Sequence, residues 1–489
     1  MIRIPRERWG NFVGGEWVAG SSLPDLPLIN PSDGTVIGRI VQADGALADR
    51  ALSLARGAVE AGLLTQGRPK ERMALLLRIA RELRDMEDDI AAVECLNNGK
   101  PISAARAEAS EAARIFEYYA GLADKVEGRS IPLGADYVSF TERLPHGVTL
   151  HIVPYNYPLN TAARSVAPAL AAGNACVVKA PETSPLGTMI LAEACRRAGV
   201  PAGSVSFLCG YGVDLGAYLV GHHQIDHIVF TGSVGAGKAV MHAAAETIVP
   251  TVMELGGKSA AILLPDADMG AALESVFGGI FCNAGQICSA SSRLLVHRSQ
   301  VDEVHAWFRN RLAAVTIGPA NTDPEIGPLI SERHRRRVLE LLNGAIAEGA
   351  ELVAGALEAP DLPGFFVRPA VLGRVTPEMT IATTEVFGPV LCVMAYETVD
   401  DAVRIANGGP YGLVAGVFTS DLNRAHQIAR RMRCGQVFVN EWFAGGIETP
   451  FGGVGHSGFG REKGIEGLLN YVRTRTTTIR LGDRPVEAF

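Results

Sequence analysis

Apolar positions recur every three to four residues between residues 40 and 120, as from Glu71 to Ala80, and predict an amphipathic helical layer. From residue 148 the pattern changes to short unbroken apolar runs at Val148–Val153, Ala175–Lys179, Val205–Leu208 and His227–Phe230. Helical segments over 159–172, 185–199 and 213–221 separate them. Strands spaced by helices of that length predict an α/β fold of right-handed β-α-β units, in which ligands bind beyond the carboxyl ends of parallel strands. A second α/β stretch runs from 256 to 450, with strands predicted at Ala260–Leu264, Arg293–His297 and Val390–Met394. Asn11–Val18 reads as strand, and the glycine-rich stretch from Gly445 to Gly464 cannot be one regular element. The β-branched alternation of Tyr471–Arg480 predicts a terminal strand without a local partner, of the kind that completes another subunit's sheet.

A length of 489 residues suggests about three domains, or two with an appendage. Hydrophobic residues at 47% and charged residues at 20% exclude disordered and fibrous classes. The net charge of −7 argues against nucleic acid or an anionic membrane as partner. No apolar run approaches the roughly 18 residues of a membrane span. Met1–Trp9 carries three arginines without an apolar run, so no secretion signal is expected. Eight cysteines with no C-x-x-C pair argue against a disulfide framework and a metal site, and for a reducing, cytoplasmic location.

Several segments carry chemistry. Phe230–Lys238 follows a predicted strand and opens a predicted helix, so backbone N–H groups near Gly232 and Ser233 can approach a phosphate. Gly232, Gly237 and Lys238 nearly complete a P-loop, but Ala239 replaces the hydroxyl that would hold Mg²⁺. A nucleotide-triphosphate-binding protein and a turn that binds nothing remain as alternatives. Cys288 follows a glycine-containing turn among small residues, where a stabilised thiolate can act as nucleophile, with buried packing as the alternative. Cys282, beside Phe281, is expected to be inert core. Glu254 precedes Gly256 and Gly257 at a strand end and must be paired, solvated or a base; an ion pair with Lys258 is the structural alternative. Pro154 and Pro158 fix a loop that turns Asn156 outward, either as an oxyanion donor or merely as a turn former. Lys179 and Glu182 end the next strand and suit ribose hydroxyls, and Glu385 with Phe387 do likewise in the second stretch.

In this order the segments closely resemble the NAD(P)⁺-dependent aldehyde dehydrogenase superfamily, from Asn11 to the terminal strand. The resemblance implies a Rossmann-like cofactor domain over 1–120 and 141–254, an α/β catalytic domain over 255–455, and a small β oligomerisation element over 121–140 and 470–489. A homodimer or homotetramer would follow. It further implies Cys288 as nucleophile in G-Q-x-C, Glu254 as general base in E-L-G-G-K, and Asn156 in the oxyanion hole with the Cys288 amide. Lys179 and Glu182 would contact the adenosine ribose, Gly232 and Ser233 the pyrophosphate, Glu385 and Phe387 the nicotinamide ribose and ring. Glu462 would relay protons. The cofactor is expected to be NAD⁺, because Glu182 repels a 2′-phosphate, although Lys179 leaves NADP⁺ open. Pro154-Tyr155-Asn156 departs from the familiar P-W-N, a change expected to touch packing near the adenine side. Glu254 favours hydrolysis over transfer to coenzyme A. With Asn156, Glu254 and Cys288 all present, a catalytically silent binding protein is disfavoured.

The substrate is expected to be a small aldehyde. Arg164, eight residues after Asn156, would line its tunnel and receive a carboxylate, as in semialdehyde dehydrogenases, or form a helix-surface ion pair. The second arginine of those enzymes is here Cys282. Tyr157, Trp442 and Phe443 would furnish a wall for an aromatic aldehyde.

Overall fold

The structure, a computed structural model, describes residues 5–482; the first four residues of the segment read as lacking a secretion signal and the last seven of the expected oligomerisation tail lie outside the described residues. The predicted helical layer forms as Gly45–Glu60, Pro69–Asp85, Glu87–Val93 and Ile102–Leu122. An eight-stranded sheet then takes the order 458–459, 251–254, 227–231, 148–152, 175–180, 205–209, 11–13, 16–18. Its five central strands are parallel, and the strands at both edges are antiparallel.

Why the central strands read as unbroken apolar runs is visible at Ala175–Ala180, where every residue is buried. Alternate side chains leave opposite faces. Cys176, Val178 and Ala180 enter a core shared with helices Pro69–Asp85, Ile102–Leu122, Pro158–Ala172 and Leu186–Arg197. Ala175 and Val177 enter a second core under helix Gly45–Glu60 and helix Val234–Thr247. Helices on both faces leave no solvated side, so polar alternation is absent.

From strand Val148–Ile152 the chain builds outward through 175–180 and 205–209, then returns to add 227–231 and 251–254 on the other side. The order therefore reverses between Val148–Ile152 and His227–Thr231, and a crevice opens beyond their carboxyl ends. Asn156 follows one strand and Gly232 the other.

The chain leaves this sheet at Glu254, crosses through Leu255–Ser259, and enters a seven-stranded sheet of order 351–355, 370–373, 390–396, 293–297, 260–263, 414–418, 436–439. A third sheet pairs Val472–Arg480 antiparallel with Tyr137–Pro145 over nine residues, with Ser130–Ile131 beyond it. The terminal strand has no local partner, as expected, but finds a distant one inside its own chain; the pair was hidden because its members lie more than 300 positions apart. No helix among the described residues is long and apolar enough to cross a membrane.

Candidate active site

One cavity of about 750 Å³ lies where the two large sheets meet and collects most of the predicted residues. Its wall includes Asn156, Tyr157, Arg164, Glu182, Gly232, Ser233, Glu254, Cys288, Glu385, Phe387 and Phe443.

Pro158 starts helix Pro158–Ala172, where its missing N–H costs nothing, and so fixes the exit of the loop carrying Asn156. Asn156 is buried, and its Nδ2 donates one hydrogen to the Gln286 carbonyl at 2.8 Å. An amide nitrogen carries two hydrogens, so one remains for a ligand. Gln286 ties the Cys288 loop down: its Oε1 accepts from the Ile330 N–H at 3.0 Å and its Nε2 donates to the Asn283 carbonyl at 3.1 Å. The sequence offered Gln286 only as a letter in the motif.

Helix Met269–Phe281 ends where Asn283 and Ala284 adopt left-handed backbone angles, and the turn carries Cys288 to the cavity wall. Loss of solvation pushes the Cys288 thiol up to about 12, against the pull of Arg164. The same break turns Cys282 out of the helix. It is exposed on the cavity wall and is not the core residue expected.

Glu254 ends strand Thr251–Glu254 and is buried, with neither carboxylate oxygen hydrogen-bonded. Burial, then repulsion from Glu462, holds its pKa well above the usual range despite Arg164 and Arg461. The alternative ion pair with Lys258 does not form; the Lys258 ammonium lies 4.0 Å from the Cys392 sulfur. Glu462 instead pairs with Arg164, whose guanidinium also stacks on the Phe451 ring at 5.1 Å. Arg164 is therefore neither a surface residue nor an unoccupied carboxylate receptor.

At the other side of the crevice Ser233 caps helix Val234–Thr247 by accepting from the Ala236 N–H at 3.3 Å. The buried Thr231 hydroxyl beside it has no partner. Glu182 pairs with Lys179 at 2.6 Å. Burial works to raise the Glu182 pKa, but Lys179 and hydrogen bonds outweigh it and leave a carboxylate below its usual range. Lys179 itself is buried behind Glu182 rather than on the cavity wall. Lys238, the third element of the near P-loop, is exposed and outside the cavity wall.

Glu385 accepts from the Gly257 N–H at 3.0 Å, and burial raises its pKa to about 7. Phe387 sits at φ 58°, a strained angle for a bulky residue, with its carbonyl accepting from His334 Nε2 at 2.7 Å. Tyr155, whose replacement of Trp was expected to touch packing near the adenine side, packs edge-on against Phe387 and His334, at 5.9 and 6.3 Å between ring centres. Trp442 is buried away from the cavity, its Nε1 donating to the Ser289 carbonyl at 3.0 Å. It supports the Cys288 loop from behind instead of forming an aromatic wall. Phe443 and Phe451 line that side, and Lys463, not anticipated from sequence, lies with them.

The model of the aldehyde dehydrogenase family matches residues 17–477. Retinal dehydrogenase 2 of Homo sapiens is 37% identical over 474 residues, which cover 96% of this chain and 91% of that protein. Hydroxyisobutyraldehyde dehydrogenase of Mycolicibacterium austroafricanum is 37% identical over 480 residues, 98% of this chain and 95% of that protein. The NAD⁺ complex of aldehyde dehydrogenase from Bacillus cereus superposes with a TM-score of 0.96 at 36% identity, covering 97% of each chain.

Proposed function

The chain belongs to the aldehyde dehydrogenase family, and on that premise we propose that it oxidises an aldehyde to the carboxylic acid through a covalent adduct on Cys288. The observation that carries this reading is the convergence of Cys288, Asn156 and an unpartnered, buried Glu254 on one cavity. The Cys288 thiol gives its proton to solvent, its sulfur attacks the aldehyde carbon as thiolate, and the carbonyl electron pair moves to oxygen. The remaining Asn156 N–H and the Cys288 amide hold that oxyanion, a class of contact that lowers barriers by about 3 kcal/mol per donor. When bound, NAD⁺ supplies the acceptor for the hydride that leaves the adduct carbon. Glu254 then takes a proton from water, the water oxygen attacks the thioester carbon, and the Cys288 sulfur leaves with the bonding pair. The proton relay is assigned to Glu462, which is held by Arg164 and acts electrostatically on Glu254.

The cofactor-side residues fit a dinucleotide. An unpaired Thr231 hydroxyl, the start of helix Val234–Thr247 at Gly232 and Ser233, and the carboxylates Glu182 and Glu385 offer donors to phosphate and acceptors to ribose. Glu182 accepts from ribose hydroxyls and repels a 2′-phosphate, which favours NAD⁺. Phe387 would flank the nicotinamide. The cofactor domain is taken as 1–120 with 141–254 and the catalytic domain as 255–455. The open edge of Val472–Arg480 supports assembly as a homodimer or homotetramer. Eight free cysteines support a cytoplasmic location. The triphosphate-binding alternative loses its support with Lys238 outside the cavity.

Mass spectrometry of enzyme quenched during turnover tests the mechanism. An acyl mass on the peptide containing Cys288 is expected, and Cys288→Ser is expected to lose it together with oxidation. Full oxidising turnover by that variant refutes the reading.

A further inference from the structure

Lys463 and Arg337 are cations of the cavity wall that the proposed mechanism leaves unused; Arg337 acts on Glu385 and Tyr155 at the cofactor side, which leaves Lys463 on the side of Phe451. Arg164, Glu462, Glu111, Cys288 and Glu448 act on Lys463 electrostatically. Arg164 and Glu462 are committed to each other, Glu448 is paired with Arg114, Glu111 lies on the surface, and Cys288 is a thiol. Lys463 forms no ion pair or hydrogen bond with any of them among the described residues, its contact being with the Phe451 ring at 5.7 Å. An ammonium has three donors to satisfy, and here they remain free for a ligand.

The backbone adds a second observation. Lys463 sits at φ 60°, ψ 174°, a region that side-chain-bearing residues occupy only when their surroundings impose it. Gly464 follows it at the start of helix Gly464–Leu469, and the bridge between Phe451 and Glu462 precedes it. This frame fixes the backbone of the lysine at the cavity wall, where its side chain is partly exposed.

We propose that Lys463, and not Arg164, receives an anionic group of the substrate, so that the enzyme selects aldehydes that carry a carboxylate. The proposal rests on Cys288 being the nucleophile. The charges of the wall support it: Arg164 pairs with Glu462, burial beside Glu462 favours the protonated form of Glu254, and Arg337 acts on Glu385, so Lys463 is the cation beside Phe451 that has no ion-pair partner among the described residues. Phe443, Phe451 and Tyr157 supply apolar wall on the same cavity for the part of the substrate between aldehyde and acid. Burial also brings the Lys463 pKa down to about 8, so it is charged at neutral pH and loses its proton within the range an assay can reach.

The experiment compares kcat/KM for two matched pairs, succinic semialdehyde with butanal and 4-carboxybenzaldehyde with benzaldehyde, in the wild type, Lys463→Met and Lys463→Arg. Wild type is expected to favour the acid in at least one pair. Lys463→Met is expected to reduce that acid-to-neutral ratio about tenfold or more, and Lys463→Arg to retain most of it. The wild-type ratio is also expected to fall as pH rises from 7 to 9. A preference for the neutral aldehyde in both pairs, or a ratio unmoved by Lys463→Met, overturns the proposal while leaving aldehyde oxidation intact. Failure of the wild type to oxidise any of the four overturns the selection for these acids, whereas absence of an acyl mass on Cys288 during turnover refutes the dehydrogenase reading itself.

Discussion

Gly257 lies against the peptide of Cys288: a Cβ placed on Gly257 would fall 2.5 Å from the Cys288 carbonyl oxygen. The crossing between the two large sheets is thus also the back wall of the nucleophile turn. Gly256 is confined on its other side by the Glu385 carboxylate. Gly257 therefore lets the Cys288 turn sit against the crossing, since any larger residue there would meet backbone, while the neighbour of Gly256 is the end of the Glu385 side chain.

Gly257→Ala is expected to displace the Cys288 peptide without unfolding either sheet. A displacement near 1 Å at reacting atoms costs about 10²-fold in rate. Steady-state kinetics should show that loss in kcat/KM while circular dichroism stays unchanged. Activity within twofold of wild type contradicts the close approach.

The pH dependence follows from two groups whose pKa values both move upward. Desolvation pushes the Cys288 thiol to about 12, and burial beside Glu462 raises Glu254. The reactive form of each is the deprotonated one, and a raised pKa keeps the proton on to higher pH, so both changes act in the same direction. With a neutral aldehyde, kcat/KM is expected to climb from pH 6 to 9, approaching about tenfold per unit while thiolate formation limits the rate. A stopped-assay profile that is flat over this range refutes thiolate attack by a desolvated cysteine.

The parallel strands and the residues at their carboxyl ends were legible because both depend on local patterns. Ala175–Ala180 is apolar throughout because it is covered on both faces, and Asn156, Glu182 and Gly232 each follow a strand by a few positions. What was not legible depends on residues distant in sequence. Arg164 and Glu462 lie 298 positions apart, and nothing near either announces their pairing. Trp442 reads as a free aromatic until helix Met269–Phe281 and strand Val414–Phe418 are seen to close over it through Gly279 and Gly416. Cys282 reads as core because helical periodicity is extrapolated through residues whose positive φ ends the helix.

Glu182 bears on cofactor choice through its charge and its pair with Lys179. Glu182→Ser removes the carboxylate that a 2′-phosphate would meet and frees Lys179 to attract it. The ratio of kcat/KM for NAD⁺ over NADP⁺ is expected to fall about tenfold or more. An unchanged ratio would place the 2′-position elsewhere.

Arg164→Leu separates a structural role from a substrate-binding one. The substitution leaves the Glu462 carboxylate, 3% exposed and already with one unpartnered oxygen, without its cation. Removing one member of a buried pair costs about 3 kcal/mol, because the other charge stays desolvated and unpaired. Denaturation midpoints should therefore fall in Arg164→Leu and recover in the double variant Arg164→Leu, Glu462→Leu, since two apolar groups need no mutual compensation. With Glu462 released toward Glu254, the raised pKa of Glu254 is expected to rise further, and turnover of neutral and acidic aldehydes to fall by similar factors at neutral pH. A selective loss for the acidic aldehydes, with stability unchanged, would return the carboxylate to Arg164 and break the assignment of its guanidinium to Glu462.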